Sequence, residues 1–154
     1  MITYEPWSAQ RGQEIIDALA RLDGATLPIF HALQAAFGHV PPDAVAMIAH
    51  TLNLSRAEVH GALTFYHDFR QTPPGRRVVR LCRAESCQAM GGEAAARFLL
   101  ADLGIGWGET TADGAVTVEA VYCLGLCAVS PAALVDGEPL GRADGLILSQ
   151  AARA

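Results

Sequence analysis

The sequence predicts an α+β protein in two parts, a four-helix bundle followed by a mixed α/β domain. Three observations carry that expectation. Apolar residues recur at helical spacing from residue 11 to about residue 70, punctuated by Gly24, Gly38 and the pair Pro41 and Pro42. A Pro-Pro-Gly run, Pro73 to Gly75, then stops the helical grammar and redirects the chain. Beyond it, short β-branched runs alternate with helical stretches. The length, 154 residues, suits one ordinary domain or two small ones. With 51% hydrophobic and 18% charged residues, the chain buries too much apolar surface to be disordered.

The helical part reads as four segments. Ile15, Ile16, Leu19 and Leu22 share one face of a first helix that Gly24 ends. A second is expected to open with Thr26 as cap and Pro28 in its first turn, and to run through Ile29, Phe30, Leu33 and Phe37 to Gly38. Pro42 suits the first position of a third helix carrying Val45, Ile48 and Leu52, because proline's missing N–H costs nothing there. Ser55 and Glu58 form an S-x-x-E capping box, which predicts a fourth helix from Arg56 to about Phe69. Residues 1–70 are therefore expected to form a bundle, 71–75 a linker, and 76–154 the α/β domain.

In that second part, Arg77 to Leu81 reads as a strand ending directly on Cys82. A helix is expected from about Gln88 through Ala94, Phe98, Leu99 and Leu103 to a stop at Gly104. Val116, Val118 and Val121 mark a second strand leading to Cys123. Asp136-Gly137 between Ala132–Val135 and Glu138–Leu140 is a hairpin signal, and a last helix starts near Ala143. The order β-α-β-β-α is half of a thioredoxin-like fold. Two parallel strands with adjacent carboxyl ends would bring both cysteine loops to one sheet edge, where open α/β sheets place their sites.

All four cysteines lie in those two loops. Cys82 and Cys87 enclose four residues, Cys123 and Cys127 enclose three, and 35 residues separate the pairs. Thiolates are soft ligands that suit zinc, copper(I) or iron-sulfur clusters. A 2Fe-2S rhomb takes two thiolates at each iron, whereas structural zinc usually draws on tighter C-x2-C knuckles. Two disulfides would require an oxidising compartment, a redox pair wants C-x-x-C, and four unligated core thiols remain a bland alternative.

The opening residues show no basic-then-apolar signal pattern, and no apolar run approaches a membrane span, so cytoplasmic residence is expected. A formal charge of -5 with scattered basic residues disfavours nucleic acid as a partner. All eleven basic residues are arginine. Without lysine there is neither a Walker P-loop nor a lysine Schiff base. Gly104, Gly106 and Gly108 follow a helix rather than a strand, the wrong context for a nucleotide loop. His60 and His67 are seven residues apart and are expected to share a helix face, without a metal-ligand pattern.

The run C-x4-C, the long gap, C-L-G-x-C, then Pro131 and Asp136-Gly137 resembles the thioredoxin-like 2Fe-2S ferredoxin family. That family includes the small iron-sulfur subunit of the NADH-oxidising module of respiratory complex I. A helical region ending in Thr64, Phe65 and Tyr66 is similar to the same subunits, so the resemblance covers about residues 12–150. Within the family, the stretch from Leu63 through His67, Asp68 and Phe69 to Arg70, with the short carboxyl terminus, looks most like the gamma subunit of cytoplasmic, molybdenum-containing, NAD-dependent formate dehydrogenases.

The resemblance implies that Cys82, Cys87, Cys123 and Cys127 are the four ligands of one 2Fe-2S cluster, each loop serving one iron. It implies an electron-transfer subunit with no catalytic residue of its own. The expected partners are an iron-sulfur subunit carrying FMN and the NAD site, and a catalytic subunit with a molybdenum cofactor and further clusters. The equivalent subunits of complex I and of NAD-reducing hydrogenase are the near alternatives, and a zinc-stabilised assembly module or a thiol-disulfide oxidoreductase the distant ones. The helical bundle is expected to dock on the flavin subunit. Gly125 is expected to allow close backbone approach with N–H groups aimed at sulfur, whereas for Gly91 and Gly92 that role stands level with plain turn or helix-packing glycine. Arg83 is a candidate to stabilise a reduced cluster by its charge, and Ser130, where the family more often has alanine, a candidate to donate a hydrogen bond there. By analogy of fold, Pro131 is expected to follow a cis peptide.

Overall fold

In the computed structural model residues 3–154 are described, and they divide into two compact units, residues 3–73 and 74–154.

The first unit is all helix: α1 (Ala9–Leu19), α2 (Thr26–Phe37), α3 (Pro42–Leu52) and α4 (Arg56–Phe65). Its core is Ile16, Ile29, Phe30, Leu33, Phe37, Val40, Ile48, Val59, Leu63 and Phe69, nearly all without solvent contact. Burying one such side chain stabilises by about 1.5–3 kcal/mol, so helices of 10 to 12 residues, marginal alone, hold together through this shared face. The caps are mostly those the sequence signals. Pro42 opens α3, Gly38 closes α2 in the left-handed region, and Ser55 and Glu58 bond reciprocally in a complete capping box. Two caps differ from expectation. Thr26 is the first helical residue of α2 and its N-cap is Ala25, which offers no side-chain bond. Ser8, not singled out by its sequence, caps α1 by accepting from Arg11 N–H.

Helix α4 also ends four residues earlier than predicted. A continued helix would place Phe65 and Phe69 one turn apart on the same face. The structure instead leaves Phe65 72% exposed and buries Phe69, whose ring meets Phe30 at 5.1 Å and His31 at 4.9 Å. Opposite fates for those two rings require the chain to leave the helix, and it does so at Tyr66, which is extended. His67 therefore lies outside the helix and does not share a face with His60.

The second unit is a four-stranded sheet with helices: β1 (Arg77–Cys82), α5 (Glu85–Ala89), α6 (Gly92–Leu103), β2 (Val116–Val121), β3 (Ala132–Val135), β4 (Glu138–Gly141) and α7 (Gly145–Arg153). Strand order is β2-β1-β3-β4, with β1 and β2 parallel and the other pairs antiparallel. Val79, Leu81, Val116 and Val118 pack with Ala95, Ala96 and Leu99 of α6 and Leu148 of α7. This α+β arrangement is the thioredoxin-like fold the element order predicts. The single expected helix near Gln88 is two, because Gly91 at φ +91° breaks the run between α5 and α6. Gly104 is the left-handed cap of α6, so the glycine triplet is a helix stop. Asp136 and Gly137 both take positive φ, as a two-residue hairpin with right-handed twist requires. Among the described residues no helix is long and apolar enough to cross a membrane.

Candidate metal centre

Strand register brings the cysteine loops together. Cys82 is the last residue of β1 and pairs with Val121, the last of β2, and Arg83 N–H extends the ladder one step to the Val121 carbonyl at 2.8 Å. The chain then turns through extended Ala84 into α5, whose third residue is Cys87. On the neighbouring strand Tyr122 leads to Cys123, held at φ +64°, and Gly125 at φ +74° curls the loop so that Cys127 opens a single 3-10 turn, Cys127–Val129. The two pairs differ in depth. Cys82 and Cys87 are buried against Ala132 with Ala84, Val121, Leu124 and Leu126 around them, while Cys123 and Cys127 are exposed.

The thiols meet two by two. Cys82 and Cys87 are buried in one cluster, and the Cys123 and Cys127 sulfurs lie 4.0 Å apart. Among the described residues no three His, Cys, Asp or Glu side chains converge as around a single metal ion. Thiols in pairs fit a two-iron rhomb, which takes two at each iron, so the donor set suits a 2Fe-2S cluster. Burial opposes ionisation of Cys82, but N–H groups of Ala84, Cys123 and Leu124 together with the Cys87 thiol outweigh it and hold the Cys82 thiol below its ordinary pKa. Cys127 is pushed up, first by its hydrogen bond with Cys123 and then by the charges of Cys123, Cys87 and Cys82. Backbone donors thus aim at the Cys82 sulfur.

Gly91 and Gly92 take the turn and packing roles, and Gly125 departs from its expected one. Gly91 N–H bonds the Gln88 carbonyl rather than a sulfur, and the residue serves a positive φ. Gly92 does allow a close approach, to the Cys87 backbone. Gly125 has open space where a side chain would stand, so its positive φ is its reason. The donors aimed at sulfur are backbone N–H groups of Ala84, Cys123 and Leu124, a role that residue type does not show in sequence.

Arg83 sits beside the first loop with its charge already matched. Its Nε donates to Glu93 at 2.9 Å and its guanidinium lies 4.9 Å from the Trp107 ring. Glu93 and Trp107 escape sequence reasoning because they lie 10 and 24 positions along the chain. Ser130 precedes Pro131 through a cis peptide. Its hydroxyl donates to the Cys127 carbonyl at 2.8 Å, stands 3.7 Å from Cys87 Sγ, and meets Ser86 Oγ at 2.9 Å.

Known proteins share this architecture. The chain is 37% identical over 135 residues to an NADH-quinone oxidoreductase subunit of Rhizobium meliloti, covering 86% of this chain and 80% of that one. It is 36% identical over 124 residues to the corresponding NADH-quinone oxidoreductase subunit of Pseudomonas aeruginosa, covering 79% and 75%. Against the Mycobacterium tuberculosis counterpart it is 34% identical over 126 residues, covering 82% of this chain and only 50% of the relative's length. Among solved structures it superposes on an air-oxidised NAD+-reducing NiFe-hydrogenase with a TM-score of 0.69 at 28% identity, covering 83% of this chain and 22% of that one. The profile of the thioredoxin-like 2Fe-2S ferredoxin family matches residues 12–150, and with the paired thiols at adjacent strand ends this chain belongs to that family.

Proposed function

We propose that Cys82, Cys87, Cys123 and Cys127 hold one 2Fe-2S cluster, and that the chain is an electron-transfer subunit of a multisubunit NAD-linked oxidoreductase. The observation that carries this is the convergence of the two cysteine loops at the carboxyl ends of two adjacent parallel strands, with Cys82 and Cys87 in one buried cluster and the Cys123 and Cys127 sulfurs 4.0 Å apart. Such a cluster, when bound, stores one electron, at a potential set by burial, charge and hydrogen bonds. The chain's own residues divide that work. The N–H groups of Ala84, Cys123 and Leu124 stabilise negative charge on the Cys82 sulfur, and the apolar shell around Cys82 and Cys87 excludes water. Exposed Cys123 and Cys127 are the side a redox partner reaches.

The parent complex we infer is a cytoplasmic NAD-dependent formate dehydrogenase, in which this chain is the gamma subunit. The stretch Leu63 to Arg70 supports that reading. Its partners are then an FMN- and NAD-binding iron-sulfur subunit and a molybdenum-containing catalytic subunit. Relatives named as subunits of NADH-quinone oxidoreductase and a neighbour named as NAD+-reducing NiFe-hydrogenase support an NAD-linked parent complex and keep the equivalent subunits of those two complexes as the alternatives. Residues 3–73 supply the docking surface for the flavin subunit.

The deciding experiment is EPR of anaerobically purified, dithionite-reduced protein with iron and acid-labile sulfide counted on the same sample. A rhombic spin-half signal with about two irons and two sulfides per chain is the expected result, and replacing any of the four cysteines by alanine removes the signal. A colourless protein with about one zinc per chain overturns the reading. Affinity purification from the native host separates the parent complexes. A co-purifying molybdenum protein, a quinone-reducing assembly and a NiFe protein point to three different parents.

A further inference from the structure

A surplus of hydrogen-bond donors lies where the two cysteine loops touch. The carbonyl oxygen of Cys127 has three donors within reach: Ser130 N–H at 3.3 Å, Ser130 Oγ at 2.8 Å and Ser86 Oγ at 3.4 Å. A carbonyl oxygen has two lone pairs. The carbonyl therefore takes only two of the three, and because the two hydroxyls stand 2.9 Å from each other, Ser86 can donate either to it or to Ser130 Oγ.

Cys87 is the neighbouring acceptor. As a free thiol it donates to Ser130 Oγ across 3.7 Å. As a metal ligand it has no proton, and the contact then persists only if Ser130 donates. Ser130 is free to do so when Ser86 takes its place on the Cys127 carbonyl, because that oxygen keeps two donors in either arrangement. The site is 1% exposed at Cys87 and 9% at Ser130, so water does not compete for the sulfur.

We propose that Ser86 and Ser130 form a two-position hydroxyl relay that tunes the electron affinity of the centre, Ser130 turning its proton onto Cys87 Sγ and Ser86 covering the Cys127 carbonyl it leaves. The proposal rests on the cluster assignment above. Hydrogen bonds to cluster sulfurs favour the more negative reduced state and raise the potential. Ser130 is thus a positioning residue for charge at Cys87, and Ser86 acts only through Ser130.

The test is redox titration by EPR on the full-length wild type, Ser86→Ala, Ser130→Ala and the double variant, with iron counted in each. Pulsed electron–nuclear double resonance after exchange into deuterium oxide reads the proton itself. In Ser130→Ala we expect the ratio of reduced to oxidised centre at fixed potential to fall about tenfold, a potential about 59 mV lower for one electron. The exchangeable proton coupling is lost with it. Ser86→Ala lowers the potential by less, and adding it to Ser130→Ala changes nothing further. An unchanged potential and proton coupling in Ser130→Ala with a full cluster overturns the relay, as does an additive effect of the two substitutions. A wild type without two irons and a spin-half signal overturns the cluster assignment instead.

Discussion

A Cβ added at Gly92 would stand 2.6 Å from the carbonyl oxygen of Cys87 and 3.0 Å from its carbonyl carbon. Both are backbone atoms of the buried Cys87, so neither can swing aside as the end of a flexible side chain would. Gly92→Ala therefore pushes α6 away from α5 or displaces Cys87. Overpacking of this kind costs about 1–3 kcal/mol. Urea denaturation should show that loss, and iron per chain should fall with it. Wild-type stability together with full iron would mean the two segments are not wedged together.

The sequence alone suggests Arg83 as a positive charge that stabilises a reduced centre. In the structure Glu93 neutralises it at 2.9 Å, and both side chains are about a third exposed. The pair then acts as a neutral brace, with the Trp107 ring adding a cation–π attraction. Arg83→Gln should lower the potential and Glu93→Gln should raise it, each by less than the 59 mV of a tenfold change, because exposed charges are screened. The double variant should return to the wild-type value. A double variant that keeps the full effect of Arg83→Gln would show that Glu93 does not compensate the arginine.

How much was legible follows the range of the interactions. Capping, proline and hairpin signals act within four residues, and Pro42, Ser55 with Glu58, and Asp136-Gly137 sit where the sequence places them. The paired spacing of four cysteines is also local within each loop, so the loops were readable. What was not readable depends on distant neighbours. Phe69 leaves its helix because Phe30, 39 residues earlier, offers a buried site. Gly75 reads as linker, yet its N–H donates to Thr117 Oγ1 at 2.6 Å and a Cβ there would stand 2.9 Å from Val116 N. Ser86 looks like an ordinary helix-start serine until folding sets it beside Ser130.

The capping box of α4 gives a pH signature. Bonds from Ser55 N–H and Oγ hold the Glu58 carboxylate below its usual pKa. A depressed folded-state pKa contributes stability that is fully present above the unfolded value of about 4.3 and is lost as pH falls through the folded value. Glu58→Gln should therefore flatten the acid limb of the helical unit's stability curve below about pH 4.3. Ser55→Ala removes the cap and should cost about 1 kcal/mol at neutral pH. Circular dichroism melts at pH 7 and pH 3 check both. An acid limb unchanged by Glu58→Gln would show that the carboxylate carries no linkage.

The end of α4 presents the surface on which the docking proposal is best tested. Phe65 is 72% exposed and Tyr66 43%, and their rings meet edge to face at 5.0 Å while Phe69 behind them is buried. A side chain that exposed contributes little to folding, so Phe65→Ser should leave stability within about 0.5 kcal/mol. Aromatic residues are, however, the groups that dominate interface energetics once desolvated, at about 2 kcal/mol or more each. If residues 3–73 dock on the flavin subunit through this end, Phe65→Ser should weaken recovery of that partner in affinity purification about thirtyfold in affinity, the equivalent of 2 kcal/mol. The EPR signal of the isolated variant should stay unchanged, because residues 3–73 hold none of the cysteines. Full recovery of the partner with Phe65→Ser, and again with Tyr66→Ser, would remove this end of the bundle as the docking surface.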